Sequence, residues 1–157
     1  MKIILASASP QRRRLMKLLG LPFIVQPSGA EEIPTIQTTV RSLVKDNALL
    51  KAQDIAAKHE DGLIIGSDTV VYGQGRLILK PKSLTEAKRE LKRLMKTPHW
   101  VYSGIAIIDA ATGKTEIDYA KTKVFMNTLS DKQIDHYHKR MPPLDKAGGF
   151  DIEGWGC

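Results

Sequence analysis

The sequence predicts an α/β fold in which helices flank a mixed, twisted sheet, and three patterns carry that reading. Short apolar runs at 2–6 (K-I-I-L-A) and 63–66 (L-I-I-G) have the length and composition of strands buried on both faces. Helical stretches with their own start signals stand between the strand signals. Two strand-like stretches, 100–109 and 115–127, follow one another across a short turn. Alternating strand and helix favours parallel pairing while the late hairpin adds an antiparallel pair, so the sheet should be mixed, in an α/β or α+β architecture.

Taken in order, the run at 2–6 ends in small residues and leads into Ser7-Ala8-Ser9-Pro10, where Ser9 suits an N-cap and Pro10 the first helical position. The helix carries Leu15, Leu18 and Leu19 on one stripe and stops at Gly20. A second strand is expected over 23–26, then a loop with Glu31 and Glu32, then a helix over 39–59 with Val40, Leu43, Val44, Asn47 and Ala48 on one stripe. The run at 63–66 opens into Ser67 to Tyr72, Gly73-Gln74-Gly75 turns the chain, and 76–79 leads into Lys80-Pro81. Ser83 to Glu86 matches a capping box, and the helix behind it presents Ala87, Leu91, Leu94 and Met95 on one face. In the strand at 115–127, Lys121 and Lys123 alternate with Thr122 and Val124, as they would with one wet face. Ser130 to Gln133 opens a last helix through about 139, and 141–157 reads as a Gly- and Pro-containing loop with Phe150 and Trp155.

The 157 residues suggest one domain, or two small lobes sharing a single core. With 42% hydrophobic and 26% charged residues, wholesale disorder is excluded. No 18-residue apolar run and no signal-peptide core occur, so no membrane contact and a cytoplasmic location are the expectations. Cys157 is the sole cysteine, which leaves neither an internal disulfide nor a zinc cluster. The four histidines are scattered, and His136 and His138 read as solvated helix residues.

The net charge of +7 favours polyanionic partners, although a solvated face explains Lys88, Arg89, Lys92, Arg93 and Lys96 equally well. A nucleic-acid partner is not expected, because aromatic residues are few and not interleaved with the basic ones. Ser7 and Ser9 with Arg12, Arg13 and Arg14 put cations at a helix N-terminus, where they oppose the macrodipole unless an anion binds. Asp68, just beyond a buried strand, could hold a divalent cation, take a proton from water, or only cap a turn. Lys80 could pair with Asp68, reach a phosphate, or lie on the surface.

Together these segments resemble the Maf family of nucleotide pyrophosphatases. The strings are S-A-S-P-Q-R-R near the start, E-E at 31–32, G-S-D-T-V-V at 66–71, K-P at 80–81, S-G-I-A-I at 103–107 and L-D-K-A-G-G-F at 144–150. The resemblance runs in order along residues 1–157 as one Maf-like domain. It implies an inosine-triphosphatase-like fold with two lobes around a cleft, usually a homodimer, and Mg²⁺- or Mn²⁺-dependent conversion of a nucleoside triphosphate to monophosphate and pyrophosphate. It implies Asp68 as proton acceptor and metal partner, and Glu32 as a second metal carboxylate. Ser7, Ser9, Arg12, Arg13 and Lys80 match phosphate-contacting positions, and the +7 charge would draw in the tetra-anionic substrate.

Several positions depart from the family pattern. Gln11 stands at the first Arg of S-x-S-P-R-R, Pro142 replaces an acidic residue, and the Y-G-I-Q-G loop reads Phe150 to Gly154. Asn47-Ala48 stands where the second helix often carries Lys-Ala, so one phosphate lysine is expected to be missing. Gln11, Thr69 and Glu153 match base-reading positions and mix the patterns of the dTTP/UTP-type and 7-methyl-GTP-type subgroups. The usual C-terminal strand and helix, roughly forty residues in the family, have no counterpart, which would leave a sheet edge unpaired. A weak or inactive nucleotide-binding protein is therefore the alternative to an active enzyme.

Overall fold

The structure is a computed structural model that describes residues 2–144 and 146–151. Its elements are β1 (Ile3–Leu5), α1 (Pro10–Leu18), β2 (Ile24–Val25), α2 (Val40–Ala56), β3 (Leu63–Gly73), β4 (Arg76–Ile78), α3 (Leu84–Leu94), β5 (His99–Asp109), β6 (Thr115–Val124) and α4 (Asp131–Arg140), followed by a 3-10 turn at Ala147–Gly149. The strands form a six-stranded sheet in the order β2-β1-β3-β5-β6, with β4 beside β3. β1 pairs in parallel with β2 and β3, and β4 pairs antiparallel with β3, so the sheet is mixed as the sequence predicts.

The chain divides into two compact units: residues up to Thr69 with Tyr102–Ala120, and Val70–Val101 with the residues from Lys121 onward. In the first unit the two-residue period of β1 sends Ile4 and Ala6 to one side, with Ala48, Ala52 and Ile55 of α2 and Ile64 of β3. Ile3 and Leu5 point to the other side, where Met16 of α1 covers them. Burying each of these large side chains contributes roughly 1.5–3 kcal/mol, so a three-residue strand is held by both of its faces. The second unit has its own cluster of Val71, Ile78, Leu91, Leu94, Ile134 and Phe150.

Three local expectations differ from what forms. The leucine stripe of α1 does not enter the core: Met16 is the buried residue, and Leu18 is 81% exposed. Glu86 does not complete a capping box, because its carboxylate accepts from the Lys82 N–H, one position before the Ser83 cap; the Ser130–Gln133 box is complete. β6 ends at Val124, and as the outermost strand it leaves most side chains on both faces exposed.

Candidate active site

Asp68 is placed by two periodicities. Along β3, Ile64, Gly66 and Asp68 alternate onto the inward face. A Cβ at Gly66 would run into the Ala48 carbonyl and the Ala52 amide of α2, and one at Gly104 of β5 would meet the Val44 carbonyl. The missing side chains let α2 lie directly on these strands. On α2, Asn47 and Lys51 are four residues apart and share a face. Lys51 Nζ donates to Asp68 Oδ1 at 2.7 Å and to the Ser67 carbonyl at 3.4 Å, and pairs with Glu32 Oε1 at 2.6 Å. Asn47 Nδ2 stands 3.5 Å from Asp68 Oδ2. Asp68 is 5% exposed, and a carboxylate so buried persists only with a counter-charge and hydrogen bonds, which Lys51 supplies.

The loop that carries Glu32 is fastened to α2 at two points. Asp54 Oδ2 accepts from Ser28 Oγ and the Gly29 N–H, both at 2.8 Å. Asn47 Oδ1 accepts from the Ile33 N–H at 2.7 Å, and Asn47 Nδ2 donates to the Ile33 carbonyl at 3.1 Å. Hydrogen bonds from Lys58, Ser28 and Gly29 hold the Asp54 carboxyl down to about 2. Glu32 itself remains exposed.

The N-terminus of α1 provides the cationic side. Ser7 Oγ, buried, accepts from the Ser9 N–H at 3.2 Å and from Arg12 Nη1 at 3.1 Å. Ser9 caps the helix by accepting from the Arg12 N–H and donates to Gln11 Oε1 at 3.1 Å. Arg12 Nη2 donates to Thr69 Oγ1 at 3.3 Å, and Thr69 shares a hydrogen bond with Ser103 at 3.2 Å. Burial pushes the Arg12 guanidinium below its ordinary pKa, while the charges of Asp68 and Glu32 oppose the fall. The carboxylates therefore answer part of the dipole conflict at this helix start.

The first unit thus brings together Ser7, Ser9, Gln11, Arg12, Thr69, Glu32 and Asp68. Arg13 lies nearby in sequence but is exposed and makes no ion pair among the described residues. Lys80 belongs to the other unit, exposed just past β4. The ion-pair partner of Asp68 within its own unit is Lys51. Glu153 lies outside the described residues, as do Asp145, Trp155 and Cys157. Asn47 stands at the position expected to carry a lysine, and a different residue one turn further on, Lys51, brings an ammonium to the two carboxylates. Sequence reasoning missed Lys51, since a four-residue step from Asn47 is shared by any solvated lysine at helical spacing. Nothing in the sequence marks Asn47 as the loop's anchor.

Among the described residues, no group of three or more His, Cys, Asp or Glu is arranged to hold a metal ion by itself. Two carboxylates, Glu32 and Asp68, meet at Lys51, and hard oxygen donors in that number fit a Mg²⁺ or Mn²⁺ that completes its shell with phosphate and water.

Solved structures share the fold. The Staphylococcus aureus Ham1 protein aligns with a TM-score of 0.56 at 15% identity, covering 80% of this chain and 72% of that one. The HAM1 protein from Coxiella burnetii gives 0.55 at 17% identity, covering 80% and 73%. These likenesses define an α/β domain of the Ham1 type. The family model for Maf-like protein matches residues 2–157, and the chain belongs to that family. It is 40% identical over 153 residues to the dTTP/UTP pyrophosphatase of Pelotomaculum thermopropionicum, covering 98% of this chain and 80% of the relative. To the dTTP/UTP pyrophosphatase of Moorella thermoacetica it is 41% identical over 156 residues, covering 99% and 80%.

Proposed function

We propose that the Asp68 cluster hydrolyses a nucleoside triphosphate between its α and β phosphates, with dTTP and UTP as preferred substrates. The observation that carries this reading is the buried Asp68 carboxylate held by Lys51, in the unit where Arg12 and the N-terminus of α1 present positive charge. Two relatives named dTTP/UTP pyrophosphatase support the substrate class. Thr69 agrees with the pyrimidine-type pattern, and its hydroxyl is fixed by Arg12 and Ser103.

In this reading Asp68 orients a water and takes its proton as the water oxygen bonds to the α-phosphorus. The bond from that phosphorus to the α–β bridging oxygen breaks, and pyrophosphate leaves with the electron pair. Lys51 keeps the two carboxylates in place and offsets their charge as the anion arrives. Arg12 and the unpaired N–H groups at the start of α1 bind phosphate oxygens and shield the phosphorus from them. A divalent cation held by Glu32 and Asp68 would supply further shielding of the same oxygens.

Lys80 is assigned a phosphate contact by the resemblance, as Gln11 and Glu153 are assigned the base; Lys80→Ala should then raise KM. A homodimer and a cytoplasmic location are further proposals of the same origin. Among the described residues no helix is long and apolar enough to cross a membrane. Lys51 supplies a cation at the two carboxylates one turn from Asn47, which favours the active reading over an inactive nucleotide-binding protein.

The test is a triphosphate panel with Mg²⁺ and with Mn²⁺, reading pyrophosphate and monophosphate together. Release from dTTP and UTP that is lost in Asp68→Asn supports the reading. Nucleotide binding without any release would favour the inactive alternative.

A further inference from the structure

The charge excess is not spread over the chain. The unit that holds Asp68 contains ten Lys/Arg and ten Asp/Glu, whereas the other contains fourteen and seven, so the whole +7 belongs to Val70–Val101 and the residues from Lys121 onward. The excess expected to draw substrate toward Asp68 is therefore absent from the unit that carries it.

Two features of the basic unit organise this charge. Lys88, Arg89, Lys92 and Arg93 of α3, with Lys96 just past its end, line an open groove of about 470 Å³. Asp131 and Asp135 of α4 pair with Lys88, and Asp131 with Lys92. Arg93 reaches Glu90 only at 3.8 Å, and Arg89 and Lys96 are exposed with no ion pair among the described residues. The second feature arises because β5 and β6 are neighbours. Lys121 Nζ lies 3.9 Å from the centroid of Trp100, and Lys123 Nζ lies 5.5 Å from the same ring and 5.2 Å from that of Phe125. Phe125 is 71% exposed. Trp100 and the two lysines, more than twenty residues apart in sequence, are thus brought together in space, so the premise that aromatic and basic residues are not interleaved does not hold here. Trp100 follows Lys96 by four residues, so the two features lie within about 14 Å along the chain.

We infer that this unit docks single-stranded nucleic acid, with phosphates along Arg89, Arg93, Lys96 and Lys123 and a base stacked on Phe125. An acidic peptide would use the cations but offers no flat partner for the exposed ring, and a duplex keeps its bases stacked internally. A single strand presents both a backbone charge and a free base face. None of these residues takes part in the chemistry assigned to Asp68, so either reading can fail without the other.

The experiment is fluorescence anisotropy of the full chain with labelled 20-mers of dT and rU, a 20-bp duplex, and anionic phosphatidylserine vesicles as a separate arm. With about four phosphates neutralised, single-strand affinity should fall about 50-fold between 50 and 200 mM salt. Phe125→Ala should weaken single-strand binding at least fivefold, and Arg89→Glu with Lys96→Glu at least tenfold, each with an unchanged melting curve. Retained single-strand binding in Asp68→Asn, unaffected by dTTP, supports a surface separate from the substrate site. No single-strand binding at 50 mM salt would overturn the inference, as would duplex binding of equal strength that ignores Phe125. Competition by dTTP, or binding to vesicles alone, would overturn it too.

Discussion

Lys51 of α2 holds its ammonium 2.7 Å from the Asp68 carboxylate of β3, and the same nitrogen reaches Glu32 at 2.6 Å. One cation thus ties a strand carboxylate to a loop carboxylate. Both Lys51 and Asp68 side chains are largely withdrawn from solvent, at 12% and 7% exposure, so neither charge is tolerable there without the other.

Replacing Lys51 tests that dependence. Lys51→Met should lower stability by about 3 kcal/mol, since it leaves a buried carboxylate without a counter-charge. The double variant Lys51→Met with Asp68→Asn should recover most of the loss, as read by urea denaturation. Pyrophosphate release by Lys51→Met should fall at least about 100-fold, comparable to removing one electrostatic group from an active site.

Asn47 makes a different, neutral contribution. Its side chain makes two hydrogen bonds to the Ile33 backbone, and Asn47→Ala breaks both. The expected cost is about 1–2 kcal/mol, with amide exchange at Ile33 at least tenfold faster. If Glu32 serves the reaction, KM for the metal–nucleotide complex should rise while kcat changes less. Unchanged exchange at Ile33 would show that the loop is held by Asp54 alone.

Gly66 is a packing constraint on the same site. Any Cβ there enters the backbone of α2 at Ala48 and Ala52, and neither strand nor helix backbone yields readily. Gly66→Ala should destabilise by about 3 kcal/mol and displace Asp68 from Lys51, reducing activity even in the folded fraction. Gly113→Ala, whose added Cβ meets open space, is the matched comparison and should be felt only through its positive φ of 73°.

His99 gives the second unit a pH dependence. It is fully buried against Phe150, neither ring nitrogen has a hydrogen-bond partner among the described residues, and burial lowers its pKa from 6.5. The unfolded chain therefore takes the proton first as pH falls. Stability should be constant above about 6.5 and decline below it, by at most about 1.4 kcal/mol per pH unit. His99→Phe should make that limb shallower in a series of melts between pH 5 and 8, the remainder coming from His138, whose pKa burial also lowers.

Much of this arrangement is legible in the sequence, and the parts that are not share a cause. Strands β1 and β3 are visible because both faces are apolar, and α1 starts where Ser9 and Pro10 say it should. Asp68 is visible because it follows a buried run. Lys51 is hidden because a lysine at helical spacing looks like any solvated residue until the strand opposite it is known. Likewise, Trp100, Lys121 and Lys123 become one cluster only through strand pairing, which local sequence does not encode. The exposed leucines of α1 show the converse: an apolar stripe states a preference for burial, not the presence of a partner.

The most direct measurement is pyrophosphate release from dTTP by the full chain beside Asp68→Asn, with Mg²⁺ and then Mn²⁺. Monophosphate and pyrophosphate in equal amounts, with loss of at least about 1,000-fold in the variant, are the expected result. Release that persists in Asp68→Asn, or products cleaved between β and γ phosphates, would contradict the role assigned to Asp68.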